Sequence, residues 1–236
     1  MVKIEARRYT DAGETFNGMF AWDPAITKRR PGVLVLHGGS GVDDHAKNRA
    51  RLFAEAGFVA FACDMYGESV TGDRQKIMTH IGELRRDRAL LHRRAQAGID
   101  LLASHPDVDG RLAAVGYCLG GMVALELARA GVELSGVVCV HGSLATTAAA
   151  EPATITSKIL VCHGALDPHG PVAHVAGFIE EMNRAGADYQ LIVYGGAMHG
   201  FTHETAIQPV NGVAYDALTD ARSSRAIAVF FEELFP

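Results

Sequence analysis

The sequence lacks the segments and charge patterns that membrane proteins and nucleic-acid-binding proteins use. No stretch of its 236 residues approaches the run of about 18 apolar residues that a membrane-spanning helix needs. Its 27 acidic residues outnumber its 22 basic ones, so the net charge is −5 and no general positive field attracts nucleic acid. Arginines 85–94 alternate with leucines at helical spacing, which predicts a solvent-exposed helix face. We expect neither a nucleic-acid partner nor a membrane partner.

Cysteine is scarce, and its spacing excludes two common structural uses. The four cysteines contain no Cys-x-x-Cys pair, so neither a disulfide framework nor a zinc site is indicated. The first residues carry no apolar stretch of the kind that directs secretion. A cytoplasmic location is therefore expected, and its reducing conditions preserve a reactive thiol.

Cofactor motifs are missing as well. The glycine-rich segments 38–41 and 116–121 match neither the dinucleotide fingerprint nor the P-loop spacing. A metal site made of His163, Asp167 and His169 is the weaker alternative, because this loop lacks the spacing of known helical metal motifs. The sequence predicts no cofactor and no metal.

The pattern that is present alternates short apolar runs with amphipathic segments. It predicts an α/β protein whose mostly parallel sheet carries helices on both faces. No repeat or linker divides the chain, so a single domain over residues 1–236 is expected. The predicted strands cover residues 16–22 (antiparallel), 33–37, 58–63, 112–115, 136–141, 158–163 and 189–194, and the predicted helices cover 44–56, 77–103, 122–129, 171–184 and 216–234.

Cys118 lies at an abrupt change from strand to helix. The surrounding pattern, Gly116-x-Cys118-x-Gly120, has the spacing of a nucleophile elbow with a thiol in the usual serine position. The glycines allow a tight turn, and the helix N-terminus favours the thiolate. We predict that Cys118 is a nucleophile. The alternative is a small core residue, which is the prediction for the other three cysteines, Cys63, Cys139 and Cys162.

An acid and a base follow the elbow in the chain. Asp167 comes just after a predicted strand and before Pro168, and His199 lies in a glycine-rich loop after the last strand. The order nucleophile, acid, histidine is that of α/β-hydrolases. Each residue alone is weak evidence, because an aspartate before proline is often only a turn residue. Together they predict a Cys118–His199–Asp167 triad, with His141 lining the pocket.

Acyl transfer also requires hydrogen-bond donors for the oxyanion. The N–H of Leu119, at the start of the elbow helix, is the expected first donor. The loop after the strand at 33–37 is expected to supply the second, from Gly39, although a plain flexible turn is the alternative. The predicted substrate pocket comprises Gly38, Tyr66, Phe201 and His203.

These segments resemble the dienelactone hydrolase family of α/β-hydrolases. The nucleophile motif, the acid loop, the histidine loop and a strand end are similar, and the resemblance spans residues 15–234. The corresponding segments are Gly116-Tyr-Cys-Leu-Gly-Gly121, His163-Gly-Ala-Leu-Asp167, Met198-His-Gly-Phe201 and Phe61-Ala-Cys-Asp-Met-Tyr-Gly67. The resemblance implies the α/β-hydrolase fold and the same triad. It also extends to a family member noted for promiscuous phosphotriester cleavage.

Two positions depart from the family pattern. Dienelactone hydrolases carry a glutamate beside the resting thiol, where this chain has Gly38. They also carry an arginine four residues beyond the catalytic histidine, which binds the substrate carboxylate, and here that position holds His203. A histidine, with an unperturbed pKa near ~6.5, is mostly neutral at physiological pH, so neutral substrates are expected.

The sequence therefore predicts a cofactor-free hydrolase of small neutral esters or lactones. A phosphotriesterase or arylesterase that uses the same triad is the alternative within enzymes. A binding protein that has the fold but no catalytic activity is the alternative in a different class, and turnover coupled to covalent labelling of Cys118 separates the two.

Overall fold

Short apolar runs form strands in both halves of the chain, as the sequence predicts. The computed structural model describes residues 1–70 and 73–236. Contacts divide the chain into two units, Met1–Val115 (unit 1) and Gly116–Pro236 (unit 2), and each is described by itself. The single domain over residues 1–236 stays a prediction.

Unit 1 contains a sheet of mixed direction. Its strands are β1 (Lys3–Asp11), β2 (Glu14–Trp22), β3 (Arg30–Leu36), β4 (Val59–Cys63) and β5 (Val108–Tyr117), of which β5 runs two residues past the division. β3 and β4 are parallel, and β2 is antiparallel to both β1 and β4. The antiparallel direction predicted for residues 16–22 is confirmed. β1 was not predicted, because all of its residues are exposed or half-buried and no apolar run marks it.

Unit 1 also corrects the prediction of one long helix over residues 77–103. Its helices are α1 (Asp44–Glu55), α2 (Arg74–Arg86) and α3 (Arg88–Ala103). Asp87 separates the last two, because its extended backbone ends α2 and its carboxylate accepts the N–H of Leu90 at 2.9 Å. Aspartate at an N-cap satisfies a donor that the helix leaves open, a signal that apolar spacing does not carry.

The arginine-rich segment is not wholly solvent-exposed, contrary to prediction. Arg94 on α3 is only 3% exposed. Its guanidinium donates to the backbone oxygen of Met65 at 2.8 Å and to the Glu14 carboxylate at 2.6 Å. It also lies 5.4 Å from the centre of the Phe16 ring. Arg94 is therefore a structural cation that ties α3 to two strand ends of unit 1.

Unit 2 is a parallel sheet with helices. Its strands β6 (Gly136–Val140), β7 (Lys158–Gly164) and β8 (Tyr189–Tyr194) pair in parallel in that order. Its helices are α4 (Leu119–Arg129), α5 (Ala173–Ala185) and α6 (Ala217–Leu234). These elements lie within a few residues of their predicted bounds. The predicted α/β fold with a mostly parallel sheet is confirmed.

A buried ionic cluster joins α4 to α5. Arg129, at the end of α4, donates to both carboxylate oxygens of Glu181 on α5, at 2.9 and 2.8 Å, and to Glu126 at 2.9 Å. Glu181 also accepts the N–H of Ala150 at 2.9 Å. Buried charges are tolerated only when they are paired and hydrogen-bonded, so this cluster fixes the helix that follows Cys118 relative to the helix that follows the Asp167 loop.

One element of unit 2 was not predicted. Residues 205–215 contain a small antiparallel pair, β9 (Ile207–Gln208) and β10 (Val213–Ala214), joined by a single 3-10 turn. Val213 also forms a parallel bridge with His199. This hairpin therefore lies directly against the loop that carries the predicted base.

Candidate active site

Cys118 occupies a strained turn between β5 and α4. Its φ of 55° and ψ of −113° lie in a region that side-chain-bearing residues rarely adopt. Close backbone approach explains the preceding glycine, because a Cβ on Gly116 would lie 1.9 Å from the Gly120 oxygen. The turn leaves Cys118 half-buried, whereas its neighbours are buried. The sequence folds here into the elbow that its glycine spacing predicts.

Three side chains of unit 2 form a continuous hydrogen-bonded chain. The Sγ atom of Cys118 lies 3.0 Å from Nε2 of His199, and Nδ1 of His199 lies 2.8 Å from Oδ2 of Asp167. The Asp167 side chain is fully buried and the His199 side chain is 13% exposed. The structure thus brings together the three residues predicted from sequence, in the order thiol, imidazole, carboxylate.

Asp167 is held as a carboxylate by its own loop. Its Oδ1 atom accepts the backbone N–H groups of His169 at 2.8 Å and Gly170 at 3.1 Å. Burial raises the pKa of Asp167, but the hydrogen bonds from His199 and from these two amides outweigh it and lower the pKa below its ordinary value. An ionised Asp167 accepts the Nδ1 proton of His199, which leaves Nε2 to accept the thiol proton.

The electrostatics of His199 favour its protonated form. Burial alone lowers its pKa, but the hydrogen bonds to Asp167 and Cys118 outweigh burial and raise the pKa to about 10. An imidazolium beside a sulfur atom stabilises the thiolate. The arrangement can therefore deprotonate Cys118 and hold the proton on Nε2.

The unpredicted hairpin fixes the backbone of His199. The N–H of His199 donates to the Gly212 oxygen at 3.0 Å, and the N–H of Ala214 donates to the His199 oxygen at 3.1 Å. Gly212 has a φ of 70°, and a Cβ there would lie 2.3 Å from Cγ of Pro168. The hairpin therefore contacts both the predicted base and the loop of the predicted acid. The turn-forming Pro209 and Gly212 were the sequence signal that could have revealed it.

The remaining predicted residues of unit 2 differ in exposure. Phe201 is fully buried and packs its ring 5.0 Å from that of His141 and 5.7 Å from that of Tyr194. His203 is half-buried, with Nδ1 3.0 Å from the Thr205 hydroxyl. Substrate contact by Phe201 and His203 stays a prediction. His141, predicted to line the pocket, is instead 1% exposed.

Leu119 is the first residue of α4. The N–H groups of a first helical turn have no acceptor within the helix, and the role of the Leu119 N–H as an oxyanion donor stays a prediction. Gly38, Gly39 and Tyr66 belong to unit 1, where the Tyr66 hydroxyl donates to the Gly39 oxygen at 3.2 Å. A second oxyanion donor at Gly39, and the pocket roles of Gly38 and Tyr66, stay predictions.

The other cysteines have a different environment. Cys63, Cys139 and Cys162 are buried in strands, as predicted, and burial raises the pKa of each to about 12. Such thiols stay protonated and inert at neutral pH. Cys118 alone among the four cysteines is half-buried and contacts an imidazole.

Comparison with known proteins assigns the family. Residues 16–235 match the dienelactone hydrolase family. The chain belongs to this family. It is therefore a hydrolase acting on ester or lactone bonds, and the family predicted from the sequence motifs is confirmed.

Two proteins of solved structure and one relative found by sequence are similar to this chain. A structure named m3DLH is 37% identical with a TM-score of 0.92, and the match covers 100% of this chain and 99% of that one. A dienelactone hydrolase-like promiscuous phosphotriesterase from metagenomic libraries is 39% identical with a TM-score of 0.91 and the same coverage. A probable 2-oxo-3-(5-oxofuran-2-ylidene)propanoate lactonase of Bradyrhizobium sp. is 31% identical over 195 residues, 77% of each chain. No helix among residues 1–70 and 73–236 is long and apolar enough to span a bilayer.

Proposed function

We propose that the enzyme hydrolyses small neutral esters or lactones through a covalent intermediate on Cys118. The observation that carries the proposal is the relay in unit 2, in which 3.0 Å separates Sγ from Nε2 and 2.8 Å separates Nδ1 from Asp167. A nucleophile, a base within hydrogen-bond reach and a carboxylate that orients the base are the parts that acyl transfer requires.

In the first half of the reaction, His199 takes the thiol proton and the Cys118 thiolate attacks the substrate carbonyl carbon. The carbonyl oxygen becomes an oxyanion, which the N–H of Leu119 stabilises, with Gly39 as the predicted second donor. The carbon–oxygen bond then breaks while His199 returns its proton to the leaving oxygen. An alcohol departs, or for a lactone the ring opens, and a thioester to Cys118 remains.

In the second half, a water molecule attacks the thioester. His199 takes one proton from this water, the oxyanion forms again, and the bond between Sγ and carbon breaks. The acid product leaves and the thiolate pairs again with protonated His199. No cofactor is needed for either half.

The preference for neutral substrates rests on His203. Arginine stays charged and binds a carboxylate with two parallel hydrogen bonds, whereas histidine does not provide such a fork. We expect the wild type to prefer neutral over anionic lactones with the same leaving group, and His203→Arg to shift the kcat/KM ratio toward the anionic one. A strong preference of the wild type for the anionic lactone would contradict this part of the proposal.

Phosphotriester cleavage is a second candidate, favoured by the 39% identity to a promiscuous phosphotriesterase. A backbone N–H that donates to a carbonyl oxygen can also donate to a phosphoryl oxygen. The thiolate would attack phosphorus, and the bond from phosphorus to the leaving oxygen would break as His199 protonates that oxygen. Water deprotonated by His199 would then attack phosphorus and break the bond to Sγ, which releases a phosphodiester and regenerates the thiolate.

The test compares the wild type with Cys118→Ala on p-nitrophenyl esters, uncharged lactones and phosphotriesters. We expect ester turnover by the wild type and a loss on the order of 10³-fold or more in the variant, with an unchanged melting curve. Phosphotriester turnover above ester turnover favours the second candidate. Retention of a tenth or more of kcat/KM by Cys118→Ala refutes the nucleophile, and labelling of Cys118 without any turnover points to a binding protein.

A further inference from the structure

His141, at the end of β6, lies between the elbow and the loop that carries His199. Its Nδ1 atom accepts the backbone N–H of Cys118 at 3.1 Å, an N–H that is shared with the Val140 oxygen at 3.0 Å. Its Nε2 atom lies 2.9 Å from the hydroxyl oxygen of Thr202, three residues beyond His199. The imidazole therefore spans from the backbone of the proposed nucleophile to the loop of the proposed base, with both of its nitrogens engaged.

These contacts define the protonation of the ring. Nδ1 faces an N–H donor and must be unprotonated, so a neutral His141 carries its proton on Nε2 and donates it to the Thr202 oxygen. His141 is 1% exposed and Thr202 is also 1% exposed, so water does not compete with either bond. The ring serves here as a neutral bridge with an acceptor at one end and a donor at the other.

The ring also packs directly against the base. The centroids of the His141 and His199 rings are 5.3 Å apart with an interplanar angle of 63°. On another side, the Phe201 ring lies 5.0 Å away at 85°. Edge-on contacts of this kind favour one ring orientation. Lateral movement of the His199 imidazole is therefore limited on the side of His141.

The backbone at His141 is held in an unusual conformation. Its φ is 41°, which is uncommon for a residue with a side chain and persists only where surrounding contacts impose it. Its N–H donates to the Cys162 oxygen at 2.9 Å. A Cβ on the next residue, Gly142, would lie 2.8 Å from the Gly121 carbonyl carbon, so α4 packs closely on this turn. The strained turn aims the ring at the Cys118 amide.

We propose that His141 is a positioning residue that sets the separation between Sγ of Cys118 and Nε2 of His199. It does so by fixing the elbow through the Cys118 amide and the base loop through Thr202. The proposal deepens the proposed function and rests on it. His141 is not a second base, because both of its nitrogens are engaged and its ring is buried.

Three variants separate the two ends of the bridge. In His141→Asn, the side-chain oxygen can occupy the position of Nδ1 and accept the Cys118 N–H, and asparagine tolerates positive φ. His141→Gly also tolerates this φ but removes the whole ring. Thr202→Val removes only the hydroxyl and nearly conserves shape. The readouts are the alkylation rate of Cys118 by iodoacetamide, followed by mass spectrometry, and kcat and KM for p-nitrophenyl acetate.

We expect His141→Gly to lower both the alkylation rate and kcat by about 10²-fold, because a displacement near 1 Å is enough for such a loss, with KM changed far less. His141→Asn should recover most of the loss, and Thr202→Val should fall between the wild type and His141→Gly. Nitrogen NMR of the wild type at pH 7 should show the neutral His141 ring with its proton on Nε2.

Several results overturn the proposal. One is wild-type alkylation and kcat in His141→Gly, and another is a proton on Nδ1 of His141. A third is equal loss in His141→Asn and His141→Gly together with new alkylation of Cys139 and Cys162, which would indicate a packing role only. If the wild type hydrolyses none of the substrates, the proposed function fails, yet the alkylation rates and the tautomer still decide the role of His141.

Discussion

Two histidine–aspartate pairs, one in each unit, have the same residue types, but the pKa values of their histidines are shifted in opposite directions. In unit 1, Nε2 of His37 lies 4.0 Å from Oδ1 of Asp64. In unit 2, Nδ1 of His199 lies 2.8 Å from Oδ2 of Asp167. Burial dominates at His37 and lowers its pKa despite the nearby carboxylate. At His199 the hydrogen bonds to Asp167 and Cys118 outweigh burial and raise the pKa to about 10.

The two histidine pKa values shift in opposite directions because the two pairs have different further hydrogen-bond partners. Nε2 of His37 accepts the N–H of Met65 at 3.0 Å, and Nδ1 lies 2.6 Å from the Gly38 oxygen, so the backbone occupies both nitrogens. The Asp64 carboxylate accepts three backbone amides, those of Asn17, Tyr66 and Gly67. The pair in unit 1 therefore shapes a turn, whereas the pair in unit 2 leaves Nε2 for the thiol.

The largest expected effect comes from removing the base. His199→Ala should lower kcat/KM by about 10⁴-fold or more, since nothing else in the relay accepts the thiol proton. His37→Gln is the matched change in unit 1, because the glutamine oxygen can still accept the Met65 N–H. It should retain most activity. Both are measured by ester turnover, with thermal unfolding as the control.

Near wild-type activity in His199→Ala would show that another group deprotonates Cys118. Equal losses of kcat/KM in His199→Ala and His37→Gln, at equal thermal stability, would show that the two histidines do not differ in function as their contacts indicate. Either result would contradict the assignment of His199 to catalysis and of His37 to the fold.

Replacing each of the two carboxylates by an amide tests the same difference between the pairs. In Asp167→Asn an amide N–H faces Nδ1 of His199, which moves the ring proton to Nε2 and prevents it from accepting the thiol proton. A loss of about 10³- to 10⁴-fold in kcat follows. In Asp64→Asn an amide instead faces the backbone N–H of Asn17, which costs about 1–3 kcal/mol of unfolding free energy.

Asp167→Asn should therefore lose activity with little change in the urea midpoint, and Asp64→Asn should lose stability with a kcat much closer to that of the wild type. The reverse pattern would contradict the assignment of one pair to chemistry and the other to the fold.

Sequence patterns predicted the relay because its signals are local. Glycine is required at position 116 because a Cβ there would lie 1.9 Å from the Gly120 oxygen, and strand ends place Asp167 and His199. The same signal does not distinguish the pairs, since His37 and Asp64 also follow strands. The two pairs are distinguished by their distances, 4.0 Å against 2.8 Å. They also differ in the second partner of Nε2, which is the Met65 N–H in unit 1 and Sγ of Cys118 in unit 2.

Other features depended on contacts that spacing does not encode. The break at Asp87 arises from a capping hydrogen bond within a continuous apolar pattern. Each strand of the hairpin at residues 207–214 is only two residues long. An alternation of polar and apolar residues cannot be recognised over so short a length. The buried position of His141 depends on its positive φ and on its contact with Thr202, 61 residues further along the chain. Backbone strain and distant partners of this kind produce no periodic pattern in the sequence.

The smallest expected effect is a difference in how stability depends on pH. The folded pKa of His199 is about 10 and the unfolded value is about 6.5. Its contribution is therefore fully present below pH ~6.5 and is lost as pH rises toward 10. The folded pKa of His37 is lowered, so the unfolded chain binds its proton first and stability is lost as pH falls below ~6.5. One proton changes the unfolding free energy by at most about 1.4 kcal/mol per pH unit.

Urea unfolding of the wild type, His199→Ala and His37→Gln across this pH range checks both signs. His199→Ala should lose the alkaline decline and keep the acid one, whereas His37→Gln should do the reverse. Cys118→Ala should retain part of the alkaline decline, because the hydrogen bond from His199 to Asp167 remains after the thiolate is removed. An alkaline decline of equal size in the wild type and His199→Ala would show that the raised pKa of His199 does not stabilise the fold.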